Sequence, residues 1–564
     1  MAGFEFNRFY KYDELTALLH QCAAEHPDLC TVESIGRSHE GRDIWLVTLT
    51  NQATGPHSEK PAHWVDASIH ATELAGSVAA LHLIDRLLSG HGSDDRVTRA
   101  LDTRTVYVVP RINPDGAEWA LADKPRHVRS GTRPYPRLDE QDGLAREDVD
   151  GDGRILTMRI RDDNGPWKAH PDEPRLLVAR EPDEDDPNAT YWRVLPEGVI
   201  RNFDGVMITI APSVQGLDLN RNFPPEWRPE GDQRGAGPYP TSEPEIRALV
   251  QAIVDRPNIC SYLTYHTFSG VHLRPYGHQS DDAFATSDLR TYEEIGRRAT
   301  AITGYKAVSV WHGFRYDPKD VITGVADDWA YDHLGVYAWT TELWSPLQRI
   351  DGIGEYDFIK WFDDHPVEHD LALLRWADEA TGRTGYVDWY SFDHPQLGPV
   401  ELGGWNFIET WTNPPFVLLE KEIAPHTDLA LLQTLMTPRL RLRSSEATSV
   451  GADTWRVRVV VENSGWLPSN VSQRALDRKV VRPLEAEISL PAGAELATGK
   501  ATLELGQLTG RALKQNTTEI VGAGDPTTDR ALAEWVVRAP QGSTVHVEAR
   551  HQRAGVVRCE VTLG

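Results

Sequence analysis

The chain has 564 residues, of which 40% are hydrophobic and 25% are charged, so it can build a large core and more than one domain. Its 84 acidic and 58 basic residues give a net charge of −26, which repels nucleic-acid phosphates and anionic lipid. This balance argues against nucleic acid or a membrane surface as a partner.

The first residues carry no basic segment followed by an apolar run, so we expect no secretion signal. No stretch of about 18 apolar residues occurs, so we expect no membrane span and a cytoplasmic protein. The four cysteines lack a close-paired metal spacing and are expected to be free thiols.

The amino-terminal part predicts a helix over Tyr12–His26 and two extended runs, Cys30–Ile35 and Asp43–Leu49. Trp64–Ile69 is short and apolar enough for a buried strand. From residue 73 the apolar side chains recur at three- and four-residue steps until Gly90, which predicts a helix that follows the strand.

A His-x-x-Glu pair, His70 and Glu73, lies at this strand-to-helix junction, where open α/β sheets place their ligands. The same spacing occurs at His170 and His365, but proline follows each of them directly, which is typical of loops. An imidazole and a carboxylate aimed at one point suit a borderline-soft cation such as zinc. The alternative is a structural histidine and a glutamate near the helix dipole.

A buried run, Thr105–Val109, leads into the strong turn Asn113–Gly116. Residues from about 130 to 215 are rich in proline, aspartate and arginine, have few periodic runs, and are interpreted as an elaborated insertion on the core.

Inside the insertion, Asp148, Asp150 and Asp152 form the first half of a calcium loop. The twelfth position, which needs a glutamate, is Arg159. Calcium binding and a plain acidic turn are both open at this point.

The core pattern resumes at Leu217–Pro225, followed by a predicted helix over Glu243–Asp255. Two further predicted strands, Ser261–Ser269 and Tyr337–Leu343, carry a histidine and a glutamate towards their ends. Strands that alternate with helices and place polar groups at their ends indicate an α/β sheet with one active edge.

After about residue 437 the chain predicts a small β-sandwich with no catalytic cluster. Apolar side chains occupy every second position in two of its segments: Trp455, Val457, Val459 and Val461, and then Val545, Val547 and Ala549.

Five motifs follow one another along the chain: His70-Ala71-Thr72-Glu73, Asn113-Pro114-Asp115-Gly116, Asp218-Leu219-Asn220-Arg221-Asn222-Phe223, the strand-end His266, and Thr340-Thr341-Glu342-Leu343. Together and in this order they resemble the zinc carboxypeptidase family of the pancreatic A/B kind, peptidase family M14. The resemblance covers roughly residues 8–130, 215–345 and a last core helix near 418–436.

This resemblance implies the α/β, mixed-sheet fold of the zinc carboxypeptidases (phosphorylase/hydrolase-like). We expect a catalytic domain over residues 1–436 that carries the insertion, and a β-sandwich accessory domain over residues 437–564.

It also implies the roles of the motif residues. His70, Glu73 and His266 match the family's zinc ligands, which leave zinc one open position for water. Glu342 matches the general base that takes the proton of this water and passes it to the leaving amine.

Arg129 matches the arginine that stabilises the oxyanion, with Arg133 as the competing assignment. Arg221 and Asn220 match the groups that bind the substrate's terminal carboxylate. Asp218 resembles the carboxylate that orients a zinc-bound histidine.

Two departures from the family pattern concern the substrate. Thr72 stands where the pancreatic enzymes have an arginine. The family's mobile tyrosine is expected shortly before Gly324, but Asp320 or Val321 occupies that register and Tyr316 is the nearest tyrosine.

Asp327 resembles the aspartate at the base of the side-chain pocket in the B-type enzymes, which implies a preference for basic C-terminal residues. A buried carboxylate must be paired, and an arginine of the insertion could neutralise it instead.

The resemblance therefore implies a zinc-dependent metallocarboxypeptidase acting on peptides with a free C-terminal carboxylate. The alternatives are a zinc amidase or deacylase of a small carboxylate-bearing metabolite or cell-wall peptide, and a non-catalytic binding protein on the same fold. The intact set of ligands and base favours an enzyme. The oligomeric state is open.

Overall fold

The computed structural model describes residues 3–317, 319–353, 358–514 and 524–564. Its helices are, in chain order, α1 (Tyr12–Glu25), α2 (Ala75–Gly90), α3 (Asp95–Thr103), α4 (Pro114–Ala120), α5 (Pro244–Val254), α6 (Thr286–Thr303), α7 (Val310–Gly313), α8 (Ala326–Leu334), α9 (Phe358–Asp363), α10 (Val367–Thr381), α11 (Phe416–Met436) and α12 (Gln473–Asp477). None of these described helices is long and apolar enough to cross a membrane.

The strands of the described residues are, in chain order, β1 (Cys30–Arg37), β2 (Asp43–Leu49), β3 (Ala62–Ala67), β4 (Thr105–Val109), β5 (Gly143–Arg146), β6 (Thr157–Arg161), β7 (Trp167–Ala169), β8 (Leu177–Ala179), β9 (Tyr191–Pro196), β10 (Gly198–Arg201), β11 (Ile259–Thr267), β12 (Val271–Arg274), β13 (Lys306–Ser309), β14 (Tyr337–Leu343), β15 (Tyr386–His394), β16 (Gly398–Trp405), β17 (Leu440–Gly451), β18 (Thr454–Asn463), β19 (Glu485–Ser489), β20 (Glu495–Thr498), β21 (Thr502–Glu504), β22 (Arg530–Arg538), β23 (Thr544–His551) and β24 (Gly555–Thr562).

Eight strands form a mixed central sheet in the order β1-β2-β4-β3-β11-β14-β12-β13. The four middle strands β4, β3, β11 and β14 are parallel, whereas β2 and β12 run antiparallel to them on either side. The carboxyl ends of β3, β11 and β14 therefore meet at one edge, which confirms the predicted mixed-sheet α/β fold.

Helices cover both faces of this sheet, as its fully buried strands require. On β3, Val65 packs into a core that includes Leu81 of α2 and Ile423 of α11. The neighbouring Trp64 points the other way, into a core with residues of α5 and α8 such as Trp329.

The insertion contains several short strands. Four of its strands join two strands from much later in the chain in a six-stranded sheet, ordered β15-β16-β6-β9-β7-β8. Met158 of β6 pairs with Leu402 of β16, and both side chains are fully buried. These strands leave few periodic runs in the sequence because they are only three to six residues long, and one partner of β6 lies more than 200 residues later in the chain.

The carboxyl-terminal part consists of two four-stranded antiparallel sheets, β17-β18-β22-β20 and β21-β19-β23-β24, which share one apolar core. This confirms the β-rich part of the fold prediction. The part is fastened to the central sheet through Asp332 at the end of α8, whose carboxylate accepts from Arg474 and Arg478.

Candidate metal centre

The loop between β3 and α2 holds the His-x-x-Glu pair at the carboxyl edge of the central sheet. The buried Ser68 has a positive φ of 54°, and its hydroxyl donates to the Glu73 carbonyl oxygen at 2.9 Å, which curls the loop back on itself. Asn113 supports the loop from the side: its side-chain amide donates to the Ile69 and Ser130 carbonyl oxygens. The Asn-Pro-Asp-Gly motif thus shapes this loop as well as starting α4.

Three side chains converge at this edge. Glu73 Oε1 lies 2.7 Å from His70 Nδ1, Glu73 Oε2 lies 3.2 Å from His266 Nδ1, and the two Nδ1 atoms are 3.2 Å apart. All three residues are at most 3% exposed. Burial disfavours the carboxylate, but His70 and His266 more than offset it and hold the pKa of Glu73 below its usual range.

This cluster fits a zinc ion. Three donor atoms, one from each side chain, lie within 4.8 Å of one another, and two imidazoles with one carboxylate are the ligand set of a catalytic zinc site. On its other side, His70 Nε2 is 3.1 Å from Asp218 Oδ1, the kind of contact that fixes the orientation of a metal-binding histidine.

Glu342 lies beside the cluster on β14, directly opposite His266 of β11 in the strand register. It is partly buried and lines a cavity of about 460 Å³ together with Glu73 and Arg129. Burial raises the pKa of Glu342 to about 8; His266 opposes this rise and Glu73 adds to it. A cation held by the cluster would favour the charged form of this carboxyl.

The structure separates the two candidate oxyanion arginines. Arg129 lines the cavity, and its guanidinium donates to Glu73 at 3.2 Å and to Asp218 at 3.1 Å. Arg133 instead forms a bidentate pair with Glu243, at 2.9 and 2.6 Å. Arg129 is therefore the arginine available to the site.

Asp218, Asn220 and Arg221 lie on a single 3₁₀ turn that follows a short extended segment. Burial opposes ionisation of Asp218, but Arg129 and Arg221 hold its pKa well below the usual range. Asn220 Oδ1 accepts from the Ala326 backbone N–H at 3.0 Å. This contact leaves the amide N–H groups of Asn220 as its free donors.

Asp327, in the first turn of α8, is 4% exposed, and its Oδ1 accepts from the Asp328 backbone N–H at 3.0 Å. Burial and the neighbouring Asp328 raise the pKa of Asp327 to about 7. No arginine or lysine among the described residues forms an ion pair with it, so the internal neutralisation by an insertion arginine is not found. Asp327 is not among the residues that line the cavity.

Tyr316, the tyrosine nearest to the register of the family's mobile tyrosine, lines the cavity and is 68% exposed. Other cavity residues carry no signal in the sequence patterns. Aromatic side chains from outside the region of resemblance form the cavity's outer wall: Phe358, Phe362 and Phe407.

Asn413 is a further supporting residue that the sequence did not indicate. Its side chain accepts from the Ala75 backbone N–H at 2.9 Å and donates to the Thr72 carbonyl oxygen at 2.9 Å. It thereby connects the start of α2 to the loop between β3 and α2. An Asn-Pro-Pro turn signal was the only hint at this position.

The acidic turn of the insertion is closed by its own hydrogen bonds. Asp148 accepts from the Gly151 and Gly153 backbone N–H groups, and Asp152 pairs with Arg154. Asp150 accepts from the Tyr390 hydroxyl. These bonds account for the turn without calcium, and calcium binding is not supported.

Known proteins similar to this chain support the same picture. The family model described as zinc carboxypeptidase matches residues 15–348, and a domain family of unknown function matches residues 439–562. Carboxypeptidase B of Astacus astacus is 26% identical over 347 residues, which cover 60% of this chain and 87% of the crayfish protein.

Carboxypeptidase A6 of Homo sapiens is 23% identical over 360 residues, 61% of this chain and 62% of the human protein, so the match spans less than two thirds of that relative. Among solved structures, carboxypeptidase A from Helicoverpa armigera is 19% identical, with 68% of this chain and 76% of that chain covered and a TM-score of 0.39.

Proposed function

Since the chain belongs to the zinc carboxypeptidase family, a class of zinc-dependent hydrolases, we propose that it removes the C-terminal residue of peptides. The observation that carries this proposal is one cavity lined by Glu342, Arg129 and Glu73, and Glu73 belongs to the buried cluster with His70 and His266. A metal-binding set beside an aligned carboxylate and a cation is what hydrolysis of an amide requires.

His70, Glu73 and His266 would hold the zinc ion, which when bound acts as a Lewis acid on water and on the scissile carbonyl. Glu342 takes a proton from the attacking water as the water oxygen bonds to the carbonyl carbon. The same carboxyl then gives this proton to the amine nitrogen as the C–N bond breaks. The products are a shortened peptide and a free amino acid.

Arg129 stabilises the negative charge that develops on the carbonyl oxygen. A guanidinium has five N–H donors, and the contacts to Glu73 and Asp218 leave others for the substrate. Fixed between two carboxylates, Arg129 is oriented before the substrate arrives.

Arg221 and Asn220 bind the terminal carboxylate of the substrate, with a guanidinium fork and the free amide N–H groups. This pair restricts hydrolysis to the last peptide bond.

We further propose a preference for C-terminal lysine or arginine, because the buried Asp327 has no basic partner among the described residues. A substrate cation in its vicinity would supply that partner, whereas an apolar residue would leave the carboxyl unpaired at a cost of about 1–3 kcal/mol.

The test compares peptides that differ only in the last residue. Release of the C-terminal amino acid from any of them supports the carboxypeptidase proposal, and no release at zinc saturation contradicts it. A higher kcat/KM for Lys or Arg than for Phe or Leu, reduced in Asp327→Ala, supports the basic preference. A wild type that prefers Phe, or unchanged selectivity in the variant, contradicts it.

A further inference from the structure

A second cavity, of about 680 Å³, opens directly from the catalytic cavity. The two share four lining residues: Thr72, Arg129, Phe407 and Thr412. We call this second cavity the upstream groove. Its walls come from the ends of β5, β6, β9 and β16 and from the turn at residues 407–412, so most of it belongs to the insertion and to the later segment that shares its sheet.

The position of the upstream groove identifies which part of a substrate can enter it. On the proposed function, Asn220 and Arg221 bind the terminal carboxylate, and these two residues line neither of the two cavities. Arg129, which contacts the scissile carbonyl, lines both cavities. Because the groove shares Arg129 with the catalytic cavity but lacks the residues assigned to the terminal carboxylate, it suits the part of the substrate that precedes the scissile bond.

The groove has a distinct chemical character. Its walls carry apolar side chains such as Leu156, Val194 and Trp405. Two of its lining residues, Arg129 and Arg146, are arginines, and none of the described lining residues is acidic, although the whole chain has a net charge of −26. His127, also in the wall, is neutral at physiological pH because burial lowers its pKa to about 4.

The two arginines differ in whether their guanidinium groups are already bound to acidic residues of the protein. Arg129 is already bound to Glu73 and Asp218, whereas Arg146 is exposed at the end of β5. The placement of Arg146 depends on Gly198 of β10, because a Cβ at this glycine would lie 1.9 Å from the Ala145 carbonyl oxygen. An exposed cation beside an apolar wall attracts an acidic side chain on an otherwise apolar segment.

We propose that the upstream groove binds the residues of a peptide substrate that precede the scissile bond, and that it selects apolar segments carrying an aspartate or glutamate. The substrate class is thus a peptide several residues long, with an acidic residue upstream of its C-terminus. This inference rests on the proposed function and specifies its substrate.

The experiment uses the zinc-loaded full-length protein and pentapeptides with identical last two residues. Each of the three preceding positions is occupied in turn by Glu, Gln or Lys on a background of Leu and Ala. We expect kcat/KM to be about three- to tenfold higher for Glu than for Lys in at least one position. Arg146→Glu is expected to abolish or reverse that ratio. Arg161→Glu, which reverses an exposed charge at the end of β6 outside the groove, is the control and is expected to keep the wild-type ratio.

Equal rates for Glu and Lys at all three positions, or the same ratio in Arg146→Glu, would overturn the inference while leaving carboxypeptidase activity intact. If no peptide is cleaved, the proposed function fails. The binding of fluorescently labelled versions of these pentapeptides then tests the groove independently of catalysis. Tighter binding of Glu peptides that Arg146→Glu abolishes supports the groove, and binding that does not depend on the charge of the peptide overturns it.

Discussion

The carboxyl edge of the central sheet, which carries the His70, Glu73 and His266 cluster, and the six-stranded sheet of the insertion are built in different ways. At the edge that carries the His70, Glu73 and His266 cluster, three of the proposed functional side chains lie within three residues of the end of a central strand: His70 after β3, His266 on β11 and Glu342 on β14. The inserted sheet joins segments more than 200 residues apart, such as β6 and β16. The residues of the proposed active site thus come from local motifs, whereas the proposed upstream groove depends on long-range strand pairing.

The largest predicted effect is on kcat, and it concerns Glu342 at the edge of the central sheet. Glu342→Gln keeps the shape of the side chain but cannot accept a proton, so kcat is expected to fall by about 10²–10⁴-fold. Zinc content, measured by metal analysis, should stay at the wild-type level because Glu342 is not a ligand. Glu420→Gln, at an exposed position on α11, is the matched control. Near-normal turnover in Glu342→Gln would mean that another group acts as the base.

The next effect concerns stability in the inserted sheet. Leu402→Ala removes a fully buried side chain that pairs with Met158, and we expect a loss of about 2–5 kcal/mol in the free energy of unfolding. Chemical denaturation measures this loss. The zinc content of the folded variant should be unchanged. A folded variant that loses zinc would show that metal binding depends on packing in the six-stranded sheet.

A smaller effect depends on pH. Burial raises the pKa of Glu245 on α5 to about 7, with Asp115 and Glu243 adding to the shift. The folded state therefore holds this proton more tightly than the unfolded state, and the resulting stability is present at low pH and is lost as the pH rises through 7.

Glu245→Gln removes this ionisation and keeps an oxygen for the His39 backbone N–H. We expect its stability relative to wild type to increase by about 1–3 kcal/mol between pH 5 and pH 8, as measured by denaturation at each pH. If the difference in stability between Glu245→Gln and wild type is the same at pH 5 and pH 8, the raised pKa of Glu245 is contradicted.

Much of the fold around the His70, Glu73 and His266 cluster could be predicted from the sequence, because the strands that end near these residues have clear hydrophobic patterns. The strand over residues 337–343 has the predicted bounds. The choice between Arg129 and Arg133 needed the structure, since only the contact with Glu243 removes Arg133 from the site.

The insertion could not be predicted in this way. Its strands are three to six residues long and their burial depends on partners such as Leu402, which no local pattern identifies. Phe407 and Asn413 reach the site through the same long-range pairing, so they were missed as well. At the acidic turn the sequence left calcium binding and a plain turn both open, and the structure shows its carboxylates bonded to backbone N–H groups, to Arg154 and to the Tyr390 hydroxyl.

The central claim is that His70, Glu73 and His266 form the zinc site. Metal analysis of purified wild type, His266→Ala and His365→Ala tests it most directly. His365 is the control because it belongs to another His-x-x-Glu sequence, and its imidazole contacts Trp361 and Asp370 instead. We expect about one zinc per chain in wild type and in His365→Ala, and little zinc in folded His266→Ala. Full zinc occupancy in His266→Ala would contradict the assignment.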